Sequence, residues 1–307
     1  MKLQEALREI QSLKKKVQQL SKEIESIKAA SIEDSSLVEK MLRMRGISVF
    51  RKNPMEHLFF PSDFSSLYKI RFYEMMKKYS FRLVLRDMIK FQDQFRIQDL
   101  IRYCSSKVVQ GYCNQLCEMG MITKNGRGKY QTRVSPLYSF GPTLEWFIAE
   151  MFKREFASPA IYGVSVKNTP SGGDYDVIAS WNQRLVYVEV KSSPPKGVEQ
   201  KEISTFFSRM DDILPDVAFL FNDTQLRMKD KLVVMFEEEL KSRYGKESKT
   251  LYPVGRLFEE LFHVQHRVFI VNSKKDVVGN FQICLKDYLR YGTKITRAWR
   301  IEHSAER

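Results

Sequence analysis

Two runs of alternating residues joined by a short polar break constrain this chain more than any other feature. Asp174-Tyr175-Asp176-Val177-Ile178-Ala179 leads through Trp181-Asn182-Gln183-Arg184 to Leu185-Val186-Tyr187-Val188-Glu189-Val190-Lys191. Branched and aromatic residues at that density, with Gly172-Gly173 before them and Ser192-Ser193 after, predict two strands of one hairpin. Strand side chains alternate faces. Val186, Val188 and Val190 therefore share a core-facing side, while Tyr187, Glu189 and Lys191 share the other. On the preceding strand Asp174, Asp176 and Ile178 share a side. A hairpin symmetric about the break Trp181–Arg184 pairs Ser180 with Leu185, which sets Asp176 opposite Glu189 and Asp174 opposite Lys191. Directly opposed residues carry Cβ atoms about 4.5–5.5 Å apart. Two carboxylates at that distance repel, and a divalent cation, which takes oxygen ligands, relieves the repulsion.

Around this hairpin the apolar period switches between helical and extended. Helices are predicted over 143–156, 198–213, 226–244, 255–262 and 280–291, with further strands over 161–167, 216–221 and 267–272. That order predicts an α/β fold over residues 139–307, a mixed sheet flanked by helices.

The amino-terminal part reads differently. Residues 1–30 follow a heptad repeat, with Leu3, Ile10, Val17 and Ile24 at one position and Ala6, Leu13, Leu20 and Ile27 at the other. So narrow a seam suits a partner helix better than a flat domain surface, and a homodimer through residues 3–27 is expected. Residues 31–79 read as a linker and helical region without a firm assignment; Pro54 and Pro61 bracket His57-Leu58-Phe59-Phe60 there. Residues 80–138 carry helical segments at 81–91, 97–103 and 106–119, a stop at Gly120, and two short strands around the basic tip Lys124-Asn125-Gly126-Arg127-Gly128-Lys129. This order resembles a winged-helix domain, whose third helix enters the major groove of DNA. The resemblance places Lys107, Gln110 and Asn114 on the outer face of that helix and Lys124, Arg127 and Lys129 against phosphate. Gly111 weakens the helix, and winged helices also serve as dimerisation modules, so a structural role stays open.

Charge points the same way. The 51 Lys and Arg against 37 Asp and Glu give +14 over 307 residues, a balance that favours polyanions as partners. The cysteines Cys104, Cys113, Cys117 and Cys284 form no CxxC pair and read as buried thiols of a reducing compartment. The charged first residues do not form a signal peptide, and no apolar run reaches about eighteen residues. A cytoplasmic protein with no membrane segment is expected.

The strand with Asp176-Val177-Ile178-Ala179, followed thirteen residues later by Glu189-Val190-Lys191, resembles the PD-(D/E)XK, or restriction-endonuclease-like, nuclease superfamily. It is nearest in pattern to Holliday-junction resolvases and type IV restriction enzymes. No proline precedes Asp176, a departure from the motif's name. The family often adds a glutamate from the helix before the sheet, and Glu145 in Gly141-Pro142-Thr143-Leu144-Glu145 sits at that place. The resemblance implies that Asp176, Glu189, Glu145 and the Val190 carbonyl hold Mg²⁺ or Mn²⁺. It implies that Lys191 orients or helps deprotonate a water and offsets phosphate charge. Asp174 and Gln200 are possible accessories, Gln200 by likeness to a helix glutamine of some relatives. The implied activity is that of a metal-dependent deoxyribonuclease, an endonuclease acting as a dimer, with RNA left open as substrate. A DNA-binding protein with an idle nuclease fold is the competing reading.

Overall fold

The computed structural model describes residues 13, 15–17, 19–20, 37–126, 128–134 and 136–294. The first long stretch holds helix α1 (residues 37–43), strand β1 (Ser48–Arg51), helices α2 (Ser66–Met76) and α3 (Tyr79–Lys90), a 3-10 turn (Ile97–Leu100), helix α4 (Ser106–Glu118) and strands β2 (Ile122–Lys124) and β3 (Tyr130–Thr132). Next come α5 (Gly141–Glu155), β4 (Ala160–Lys167), β5 (Asp174–Trp181), β6 (Arg184–Lys191), α6 (Gln200–Ile213) and β7 (Val217–Asn222). The chain continues through α7 (Val234–Tyr244), α8 (Ser248–Leu251), β8 (Val254–Phe258), β9 (Leu261–Val264), β10 (Val268–Asn272) and α9 (Val277–Arg290).

Eight strands form one mixed sheet in the order β1-β4-β5-β6-β7-β10-β9-β8. Strands β6, β7 and β10 run parallel, and the other neighbours are antiparallel. Helices cover both faces, as the α/β reading expects. Val177, Val186, Val188, Val190, Phe219 and Phe269 meet α5 and α9 on one side. Ile178, Leu185, Tyr187, Leu220 and Ile270 meet α6 and α7 on the other. Strands β7 and β10 are buried along their whole length, which explains why they read as continuous apolar runs rather than alternations. Each large apolar side chain so buried contributes roughly 1.5–3 kcal/mol.

The β5–β6 hairpin follows the register read from the sequence. Ser180 pairs with Leu185, and the ladder continues to Val177 opposite Val188. The loop is shorter than expected: Trp181 pairs with Arg184, and only Asn182 and Gln183 turn, both at positive φ (48° and 59°). Such primed turns match the twist of the flanking strands.

Three expectations need correction. The segment 255–262, expected as a helix, forms β8 and β9, which pair with each other and extend the sheet from β10. Eight residues containing Gly255 make a poor isolated helix, whereas the β10 edge supplies backbone partners. The segment 97–103 is a 3-10 turn over Ile97–Leu100, not a full helix. The helix expected over 226–244 is regular only from Val234, after a wider turn at Lys229–Val233 whose entry is held by Glu260 accepting from the Met228 amide at 2.7 Å. Residues 37–79, left without a firm assignment, hold helices α1 and α2 and join the sheet and its core. Strand β1 pairs with β4, and Leu58, Phe59 and Phe60 are buried, with Phe60 edge-on to Trp146 at 4.9 Å between ring centroids.

Of the heptad positions, Leu13, Val17 and Leu20 are helical and more than half exposed. Leu3, Ala6, Ile10, Ile24 and Ile27 lie outside the described residues.

Candidate active site

Asp176 sits where two neighbouring strands break step together. On β5, Tyr175 and Ile178 lie on the α6 side although three residues apart, and on β4 Ile161 and Val164 do the same. Val177 and Tyr162 face α5. The register runs from Tyr162↔Val177 to Val164↔Tyr175, so the step falls at Gly163 beside Asp176. Gly163 has φ +53°, and a Cβ there would stand 2.7 Å from the Pro54 ring, so no larger residue fits. The carboxylate of Glu145, from the second turn of α5, lies over this rung. Its Oε2 is 3.8 Å from where a Gly163 Cβ would be, and its Oε1 is 3.7 Å from that of Gly141.

This break alters two expectations. Asp174, Asp176 and Ile178 do not share one face. Asp174 does not oppose Lys191 either; it is exposed, pairs across to β4 and accepts from the Ser165 hydroxyl. The β5–β6 ladder stops at Val177↔Val188, one rung short of Asp176 and Glu189. Past that point Asp176 turns its carboxylate to the Val190 amide, which donates to it at 2.6 Å.

Glu189 is buried and surrounded by donors. It accepts from the Tyr187 hydroxyl and from Arg209 at 2.9 and 3.2 Å, and its Oε1 lies 2.9 Å from the Lys191 ammonium. Lys191 also reaches Glu202 at 2.8 Å. Arg209 and Glu202 both come from α6, seven residues apart and so on one helical face. Gly173, at φ +77°, makes room for the guanidinium, since a Cβ there would be 3.1 Å from Arg209 Nη2. Sequence reasoning placed Tyr187 on the correct face but missed Arg209 and Glu202. The helical spacing was legible; nothing local in the chain links that face to Glu189.

The electrostatics follow from this crowding. Burial, then the negative charges of Glu189 and Asp174, push Glu145 up to about 7, against Arg209 and Lys191. Burial, then Glu189 and Glu145, hold Asp176 well above the usual carboxylate range, despite the Val190 amide and Lys191. Burial would lower Lys191, but Glu189, Glu202 and Asp176 outweigh it and keep the ammonium above its ordinary value. Glu145 and Asp176 are thus both raised beside Glu189, with Lys191 and Arg209 as the opposing cations.

Hard carboxylate donors of this kind suit Mg²⁺ or Mn²⁺. The donors are not yet gathered, because Asp176 is turned to Val190 and Glu189 to Arg209. Among the described residues, the metal-capable side chains whose ligand atoms all fall within 4.8 Å of one another are His263, His266 and Asp287.

The remaining predicted residues lie elsewhere. Gln200 donates to the Met235 carbonyl at 3.0 Å. Lys107 and Asn114 are exposed on α4. Gln110 donates to Asn114 Oδ1 at 2.7 Å and to the Tyr130 hydroxyl at 3.1 Å. Lys124 is exposed, with its ammonium 5.7 Å from the centre of the Tyr130 ring, and Lys129 is half-buried. Phe95 bridges to Tyr130, tying the segment after α3 to β3. Arg127 lies outside the described residues. No described helix is long and apolar enough to cross a membrane.

No model of a protein family matches the chain, and no curated protein does. Among solved structures, Can2 from Sulfobacillus thermosulfidooxidans in complex with cyclic tetra-adenylate is similar at TM-score 0.43 and 11% identity, covering 83% of this chain and 60% of that one. Protein VC1899 from Vibrio cholerae is similar at TM-score 0.39 and 14% identity, covering 69% and 59%. The chain spans about three fifths of the length of each.

Proposed function

We propose that this chain is a metal-dependent nuclease that hydrolyses DNA phosphodiester bonds, with Glu145, Asp176, Glu189 and Lys191 as its reactive centre. The observation that carries the reading is the carboxylate of Glu145 from α5 over the Gly163–Asp176 rung, beside the Glu189–Lys191 pair of β6. Acids brought near one another in this way repel, which costs the fold stability unless a cation offsets it. Asp176, Glu189 and Glu145, with the Val190 carbonyl, would hold Mg²⁺ or Mn²⁺. Bound there, a divalent ion supplies Lewis acidity to the scissile phosphate and to an attacking water.

The side chains divide the remaining work. Lys191, kept protonated by Glu189 and Glu202, is suited to hold phosphate charge as it grows in the transition state. It is poorly suited to take a proton. Arg209 and Tyr187 orient Glu189. The α3–α4–β2–β3 segment, read as a winged helix, would place DNA through Lys107, Asn114 and Lys124. The exposed Leu13, Val17 and Leu20 seam would pair two chains so that two strands are cut.

One observation favours a second reading, a DNA-binding protein with an idle nuclease fold: Glu189 already has a full set of protein donors. A single experiment separates the two. Labelled linear, branched and single-stranded DNAs are incubated with the protein in Mg²⁺, Mn²⁺ or EDTA, beside Asp176→Ala and Lys191→Ala. Cleavage that needs the metal and is lost in both variants, with DNA binding kept, is expected. Salt-sensitive binding without cleavage in any metal would leave the idle reading.

A further inference from the structure

A second constellation lies at the far edge of the sheet and plays no part in the centre above. Strand β9 ends in a three-residue loop to β10, in which Gln265 and His266 both adopt positive φ (50° and 56°). A non-glycine residue adopts this conformation uncommonly. The loop thereby folds the His266 ring back over His263, with centroids 4.0 Å apart and 25° between the planes. Asp287, from the last turn of α9, meets them, and its Oδ2 is 2.7 Å from His266 Nδ1. The Asp287 side chain is only 7% exposed, and among the described residues the ion pair it makes is with His266. A carboxylate so buried needs a positive charge beside it.

His263 pairs with Gly255 on β8, and a Cβ on that glycine would stand 3.0 Å from His263 Nε2, so this edge faces backbone. His263 Nδ1 points the other way, 3.1 Å from the His266 amide that donates to it. One ligand atom from each of the three side chains lies within 4.8 Å of the others. His266 is partly exposed, which leaves solvent a path to a fourth position.

We propose that His263, His266 and Asp287 form a site for a borderline-soft transition metal of the Zn²⁺ class, separate from the carboxylate centre. Two imidazole nitrogens and one carboxylate oxygen match zinc, which takes Zn–N bonds of about 2.0–2.1 Å in tetrahedral geometry. Mg²⁺ prefers an all-oxygen shell and should discriminate against this site. Coordination replaces the amide contact to His263 Nδ1 and rotates the His266 ring so that the two nitrogens face one point. The ion then ties the β9–β10 loop to α9, closing the edge of the sheet onto its covering helix.

The test uses the full chain, stripped of metal and then saturated with Mg²⁺ to fill the carboxylate centre. Zn²⁺ is titrated by calorimetry, and Co²⁺ by its visible ligand-field spectrum. One Zn²⁺ per chain is expected, with a tetrahedral Co²⁺ spectrum. His266→Gln and Asp287→Asn should each weaken binding by at least about tenfold, the scale seen even when an outer partner of a metal ligand is removed. Asp176→Asn should leave it unchanged. Melting in EDTA checks that the variants fold; one that does not is replaced by His263→Gln. Zn²⁺ binding that survives in His266→Gln, or that disappears in Asp176→Asn, overturns the proposal. So does the absence of any bound Zn²⁺. None of these outcomes bears on nuclease activity, so this site and the carboxylate centre stand or fall separately.

Discussion

Two charge clusters lie at the neighbouring ends of β6 and β7, where the Asp223 amide donates to the Lys191 carbonyl at 2.8 Å. Around Asp223, one carboxylate is met by two arginines. Arg82 donates to it from Nε and Nη2 at 2.8–3.1 Å, Arg86 at 2.6 Å, and the Ser273 hydroxyl adds a further bond. Arg82 and Asp223 are fully buried. Burial would raise Asp223, but Arg82 and Arg86 outweigh it and hold the acid below its usual range. Around Glu189, three carboxylates share two cations, and Glu145 and Asp176 are pushed upward instead. Both clusters are buried and rich in hydrogen bonds, so neither burial nor bonding separates a structural role from a chemical one. The direction of the carboxylate shift differs between them. The first cluster is complete and fastens α3 to the end of β7; the second is short of positive charge.

The strongest way to break this contrast is Asp223→Ala, which leaves Arg82 buried without its partner. Urea unfolding at pH 7 should show a loss of about 3–5 kcal/mol. The contribution of a carboxylate with a lowered folded pKa is present above its unfolded value and lost as pH falls through the folded one. The difference between wild type and variant should therefore close in acid. A loss below about 1 kcal/mol at pH 7 would mean the cluster is no more structural than a surface pair.

Glu145→Gln should act in the opposite direction. Its folded pKa is raised to about 7 from an ordinary 4.5, so its contribution is full below 4.5 and is lost as pH rises through 7. The metal-free variant should be more stable than wild type at pH 8 by about 1–3 kcal/mol, with no gain at pH 4. Equal stability at pH 8 would show that neither burial nor the neighbouring acids raise Glu145.

Smaller changes sharpen the scale. Ser273→Ala removes one neutral donor from Asp223 and should cost about 1.5 kcal/mol by the same urea measurement. Asp276→Ala removes the cap of α9, where the side chain accepts from the amides of Val278 and Gly279. It belongs to neither cluster and should cost about 1 kcal/mol. If Ser273→Ala cost less than this cap, the Asp223 cluster would not need its third donor.

What could be read in advance follows the range of the forces involved. Alternation of Val186, Val188 and Val190 against Tyr187, Glu189 and Lys191 is a property of neighbouring residues, so the β5–β6 strands, their register and the two-sided sheet were legible in the sequence. The same holds for the placement of Glu145 on the helix before the sheet. Residues 255–262 misled because a short apolar run carries no period long enough to choose between helix and strand; the edge of β10 chose. The step at Gly163 and Asp176 was hidden because it needs two strands and the Pro54 ring together. Arg82 and Asp223 are 141 residues apart, and Arg209 reaches Glu189 only because α6 folds back over the sheet. Local pattern determined which residues are strands and which faces they offer. Only the tertiary structure decided which charges meet, because ion pairs and close contacts depend on distance through space, to which spacing along the chain is no guide.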